Sequence, residues 1–180
     1  MPDRPDSRPV SAIRAFVAAN LDSDLKAALA RVQDRLKATR ADVGWVRPEN
    51  LHLTLKFLGQ VDEGRLGAIG EAVAAVATGC GQIRLVFEGL GAFPYPRAAR
   101  VVWIGLSHGA EALTELQAKV EAGLESLGFA REGRPFTAHL TLGRVRSPAR
   151  REQLARALTG APAEALGEMV LDRIELMKSD

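Results

Sequence analysis

Two short stretches of this 180-residue chain carry the same side chains in the same order. His52-Leu53-Thr54-Leu55 recurs as His139-Leu140-Thr141-Leu142, about half the chain further on. Each copy lies in a run of alternating character, 50–58 and 136–145, so each reads as a strand. On a strand, residues two apart project from one face, roughly 6.5–7 Å apart. Each copy therefore sets an imidazole beside a hydroxyl, and its leucines turn to the other face and fix the register. Imidazole accepts or gives a proton near neutral pH. Two imidazoles flanking a phosphorus atom divide the labour. One removes the proton of an attacking water or hydroxyl; the other protonates the leaving oxygen. The hydroxyls of Thr54 and Thr141 suit non-bridging oxygens on which charge builds up. Arg144, three residues after Thr141, adds a cationic fork for phosphate. Strict alternation also places Lys56 with His52 and Thr54, and Phe57 with the leucines.

The chemistry needs no metal. The third histidine, His108, stands in Ser107-His108-Gly109 and reads as a turn residue. Neither a His-Glu-x-x-His helix nor a carboxylate cluster accompanies the repeats, so the expectation is no metal and no cofactor. Net charge is +2, 47% of residues are apolar and 26% charged, values of a folded soluble domain rather than a disordered chain. Arg outnumbers Lys 19 to 5; the Arg fork suits phosphate oxygens, but a high-GC codon bias is the plainer cause. The modest net charge suits recognition of a nucleic-acid end rather than tracking along a duplex. One cysteine, Cys80, excludes an internal disulfide. With no run of about 18 apolar residues and no secretory leader, the expectation is a cytoplasmic protein without a membrane span.

The elements that must position the repeats are legible in the periodicity. Residues 11–19 read as a strand, and 22–39 as a helix capped by Asp22 with Leu25, Leu29, Val32 and Leu36 on one face. The strand 50–58 ends at Gly59, a helix covers 63–77, and 78–81 is a candidate hinge. Strands at 82–88 and 100–106 are joined by a Gly- and Pro-bearing connection. A helix spans 110–127, a short one 148–158 starts at Pro148, and 169–177 is a last strand. Residues 1–10 form a loose arm. The class is α+β or α/β. Trp45, Phe57, Phe93, Tyr95 and Trp103 are the aromatic candidates; for Phe57 and Trp103, inside strand patterns, core packing is the plainer reading.

The stretch from Trp45 through His52-Leu-Thr54-Leu-Lys-Phe-Leu to Gly59 resembles the first motif of the two-histidine (2H) phosphoesterase superfamily, within it the RNA 2′,3′-cyclic phosphodiesterases, also called the 2′-5′ RNA ligase family. Arg134-Pro-Phe-Thr-Ala-His139-Leu-Thr141-Leu-Gly-Arg144 resembles the second. Ile13-Arg14-Ala-Phe16 is similar to the family's opening strand, and Gly91-Ala-Phe93-Pro with Arg100-Val-Val-Trp103 to its middle strands. Ala138 and Gly143 stand where the family often has Pro and Ala, and the sequence ends at Asp180 where members usually add an edge strand. The resemblance implies an α+β fold: residues 11–180 form two pseudo-symmetric lobes around 52–55 and 139–142, each an antiparallel sheet with outer helices. It places the active cleft between them. The implied reaction is metal-free hydrolysis of RNA 2′,3′-cyclic phosphate ends to 2′-phosphates. His139 would activate water, His52 would protonate the leaving 3′ oxygen, and Thr54, Thr141 and Arg144 would hold the phosphate, with the two histidine roles exchangeable. Arg14, Trp45, Phe57 and Phe93 are candidates for contact with an unstacked base.

Three other readings use the same residues. The reaction run backwards joins a cyclic phosphate to a 5′-hydroxyl, a linear 2′-5′ phosphodiester is a further substrate, and a non-catalytic RNA- or nucleotide-binding module is the reading outside enzymes. Partners are RNA ends or small cyclic nucleotides, and a monomer is the default for a cleft enzyme of this size.

Overall fold

Pairing of the opening strand with the first repeat builds one of two antiparallel sheets. The structure is a computed structural model that describes residues 12–179; the N-terminal arm, 1–10, lies outside the described residues. Strand β1 (Ala12–Asn20) lies between β3 (His52–Asp62) and β8 (Glu175–Ser179). Its run Ala15–Ala19 is buried on both faces, which explains the unbroken apolar stretch. The second sheet runs β2 (Val43–Trp45), β6 (Leu140–Val145), β5 (Val101–His108), β4 (Ile83–Phe93), β7 (Ala165–Leu171). The fold is α+β, as expected.

Helix α1 (Ser23–Lys37) begins at Asp22, whose carboxylate accepts from the Leu25 N–H at 2.8 Å. It turns Leu25, Leu29, Val32 and Leu36 inward and packs on β7 of the second sheet. Helices α2 (Leu66–Thr78) and α3 (Ala110–Glu125) pack together, α2 against β8 and α3 against β3. Helix α4 (Arg151–Thr159) packs on β4. The helix expected from Pro148 starts later because Arg150 adopts φ +54°, a left-handed backbone that cannot continue a helix.

The two sheets draw strands from both halves of the chain. Strand β2, from the first half, edges the second sheet, and β8, from the end, edges the first. The single last strand expected at 169–177 is two strands in different sheets, because 172–174 leave β7 before β8 pairs with β1. The expected 50–58 strand runs on through Gly59, at φ +71°, to Asp62. Likewise 82–88 extends to Phe93. The expected 136–145 strand is shorter, since pairing with β5 stops at Ile104↔Leu140.

Strand β3 departs from strict alternation, and this matters for the site. Its register with β1 runs Phe16↔Phe57, Val17↔Lys56, Ala18↔Thr54, stepping over Leu55. That bulge reverses the facing of the next two residues. Phe57 leaves the leucines and joins His52 and Thr54, and Lys56 turns into the interior. Strand β6 does the same. Its register with β5 runs Val102↔Gly143, Trp103↔Thr141, stepping over Leu142. Arg144 therefore shares a face with Thr141, although residues three apart on a regular strand face opposite ways.

The repeat leucines anchor both strands: Leu53 is 1% exposed and Leu140 fully buried. Leu53→Ala should cost about 2–5 kcal/mol, the usual range for emptying a packed leucine site, read as a lower urea midpoint at unchanged m-value.

Candidate active site

Both repeats deliver their side chains to one cleft. Its two adjoining hollows, of about 380 and about 490 Å³, share His52, Thr54, Phe57, Thr141 and Arg144; His139 lines the larger. Each is of the size that holds a small-molecule ligand.

The two histidines are held in the same way. His52 Nδ1 lies 2.7 Å from the Asn50 carbonyl oxygen, and His139 Nδ1 lies 2.7 Å from that of Thr137. A carbonyl only accepts, so Nδ1 carries the proton and donates. Nε2 of each ring is left for proton transfer. His52 is the first residue of β3, and His139 stands one residue before β6 rather than on it. Each ring also has an aromatic backing. Phe16 stacks on His52 at 4.8 Å between centroids, and Phe93 meets His139 edge-on at 4.9 Å. Trp103 extends the second cluster, 5.3 Å from Phe93 and 6.5 Å from His139. Its indole lies across Gly91, where a Cβ would fall 2.3 Å from the ring. Trp103 thus supports the cleft face instead of filling the core as its strand pattern suggests.

Burial pushes the His52 imidazole below its ordinary value, since a low-dielectric site disfavours the cation. The Asn50 carbonyl works the other way, and the Lys26 ammonium adds to the lowering. Lys26 is itself held near the site, donating to Asn20 Oδ1 at 2.7 Å and to the Glu49 carbonyl at 3.0 Å.

Of the base-contact candidates, Arg14 lines the smaller hollow, Phe93 the larger, and Phe57 both. Phe57 is 58% exposed, so core packing is not its role; the bulge at Leu55 turned it outward. Trp45 is elsewhere: it lies on β2 opposite Gly143, packed against the core, outside both hollows. Lys56 is almost wholly buried, its ammonium held by Glu121, and it borders the larger hollow from within the wall instead of projecting into it as a solvated strand lysine. His108 ends β5, exposed and outside both hollows. The periodicity gave no sign of Phe16 as a ring partner, or of Arg134 and Phe136 in the wall of the larger hollow. No acidic side chain among the described residues pairs with Arg144 or Arg14.

This cleft, with one repeat from each half, is matched by a family model. The model described as LigT like Phosphoesterase matches residues 20–103 and 104–180, one histidine motif in each segment. The chain belongs to the LigT-like phosphoesterase family. Among relatives in that family, an RNA 2′,3′-cyclic phosphodiesterase of Methanothermobacter thermautotrophicus is 38% identical over 168 residues, 93% of this chain and 90% of the relative. One of Archaeoglobus fulgidus is 38% identical over 167 residues, covering 93% and 91%. Among solved structures, one from Thermus thermophilus superposes with a TM-score of 0.66 at 26% identity, covering 91% of this chain and 84% of that one. Escherichia coli LigT in apo form has the same fold, with a TM-score of 0.67 at 21% identity over 94% and 95%. Among the described residues of this LigT-like chain, no helix is long and apolar enough to cross a membrane.

The His52 environment can be tested directly. By NMR titration His52 should protonate below pH 6.5. Lys26→Gln removes a like charge and should move the midpoint upward, and Phe16→Ala, by admitting water, should do the same. The limb of the kcat/KM profile set by His52 should follow it.

Proposed function

We propose that this LigT-like phosphoesterase hydrolyses the 2′,3′-cyclic phosphate ends of RNA to 2′-phosphate ends, by two histidines and without a metal. The observation that carries the reading is the paired geometry: two half-buried imidazoles, each tied through Nδ1 to a carbonyl, in one cleft with two threonines and an arginine. The naming of its relatives as RNA 2′,3′-cyclic phosphodiesterases supports the substrate.

In this mechanism His139 Nε2 takes a proton from water as its oxygen attacks phosphorus. The P–O3′ bond breaks, and the proton on His52 Nε2 passes to the departing 3′ oxygen. Thr54, Thr141 and Arg144 hold the non-bridging oxygens as charge builds there. The phosphate anion beside His52 favours its protonated form, opposing the lowering by burial and Lys26. Arg144 supplies positive charge and the two threonine hydroxyls neutral hydrogen-bond donors to the phosphate oxygens, and among the described residues no three His, Cys, Asp or Glu side chains gather as a ligand set.

The arrangement of the sixth position, counted from each histidine, is unequal. Bulges at equivalent leucines put Phe57 in the first repeat where the second has Arg144. One side of the cleft therefore offers a cation for the phosphate and the other an aromatic plane for the terminal base.

The test is hydrolysis of 2′,3′-cyclic AMP and of a short RNA with a cyclic phosphate end, at pH 7 with EDTA. Wild type should form the 2′-phosphate. His52→Ala and His139→Ala should each lose about 100-fold or more, the effect of removing a proton-transfer group. A p-nitrophenyl leaving group needs no acid, so on such an ester His52→Ala should recover activity and His139→Ala should not. An inert wild type, or loss of activity with EDTA, overturns the proposal.

Phe57→Ala should raise KM for the RNA end by roughly 5- to 150-fold with a smaller effect on kcat, the worth of about 1–3 kcal/mol of base stacking. An unchanged KM would remove Phe57 from the binding surface.

A further inference from the structure

The bulge at Leu55 that turns Phe57 outward also sends a lysine into the interior, a costly placement that calls for a reason. Lys56 is 3% exposed and Glu121, on α3, 5%. Lys56 Nζ lies 2.6 Å from Glu121 Oε2 and donates to the Ala130 carbonyl at 2.8 Å. Gln117 Nε2 completes the set by donating to Glu121 Oε1 at 3.0 Å. Ala130 lies near the start of a stretch, 129–139, with no helix or strand. That stretch supplies Glu132, Arg134, Pro135, Phe136 and Thr137 to the wall of the larger hollow, and it ends at His139. Close to its start, Arg65, from the connection after β3, donates to the Leu127 carbonyl and stands 4.9 Å over the Phe129 ring.

We propose that Lys56 and Glu121 are positioning residues. Their buried ion pair clamps the Ala130 carbonyl to the strand that bears His52, and so sets the irregular segment that walls the cleft and presents the Thr137 carbonyl to His139. An apolar pair would fill the same space, but only the ammonium supplies a fixed donor to that carbonyl. The inference rests on the phosphodiesterase reading for its kinetic consequence and is independent of it for its structural one.

Removing one partner strands the other charge in the interior, so the test uses Lys56→Met with Glu121→Leu, which keeps the space filled. The expected result is a thermal midpoint within a few degrees of wild type, with kcat/KM on the cyclic-phosphate RNA lower by about 100-fold, the scale of a 1 Å misplacement. The spectroscopic readout is the imidazole 15N spectrum. In wild type both His52 and His139 should show the Nδ1–H tautomer. In the double variant His139 should become a mixture while His52, tied to Asn50, stays as it was. Unchanged kinetics and an unchanged His139 tautomer would overturn the proposal and leave the pair a packing feature. If wild type hydrolyses nothing, the phosphodiesterase reading fails by itself, and the tautomer comparison still decides whether the clamp acts on His139.

Discussion

One extra residue in a strand pair decides which side chains meet in this cleft. A regular strand would separate Thr141 from Arg144, and Thr54 from Phe57, by turning them to opposite faces. In both repeats the register steps over the final leucine, Leu55 in β3 and Leu142 in β6, and the face changes there. The bulges hold because the neighbouring leucines are too well buried to shift: Leu53, Leu140 and Leu142 have almost no exposed surface. A register slip would move those side chains into the cleft and the histidines into the core. The same displacement in β3 puts Phe57 outside and Lys56 inside, so cleft surface and interior ion pair share one cause.

Around this frame the histidines are fixed by short-range contacts. A carbonyl two residues upstream holds each Nδ1, and an aromatic ring backs each imidazole. The backing comes from β1 for His52 and from β4 for His139, one strand in each sheet. The equivalence is not complete. Phe16 stacks whereas Phe93 meets its ring edge-on, and Lys26 presses on His52 electrostatically. Two identical side chains in equivalent repeats therefore stand in unequal surroundings.

Much of this was legible before any coordinates. The helices follow the three- and four-residue spacing of Leu25, Leu29, Val32 and Leu36, and of Leu113, Leu116, Val120 and Leu124, all buried. Period and capping are local properties, so α1 and its Asp22 cap were readable. The strand ends were not, because a strand extends as far as a partner is present. Hence β4 runs to Phe93, β6 begins only at Leu140, and 169–177 divides between two sheets. Trp45 shows the same limit: its motif neighbours reach the cleft, but pairing with β6 sends it against the core.

The sequence alone determined the paired His-x-Thr repeats, the family they resemble and the α+β class, because identity, spacing and periodicity are written along the chain. The tertiary structure decided the rest. It decided that Arg144 and Phe57 face the cleft, that Lys56 is buried in its wall against Glu121, that Phe16 and Phe93 support the histidines, and that β2 edges the second sheet and β8 the first. Each depends on which strand lies beside which and in what register. Those pairings involve residues far apart in sequence, so no local pattern encodes them.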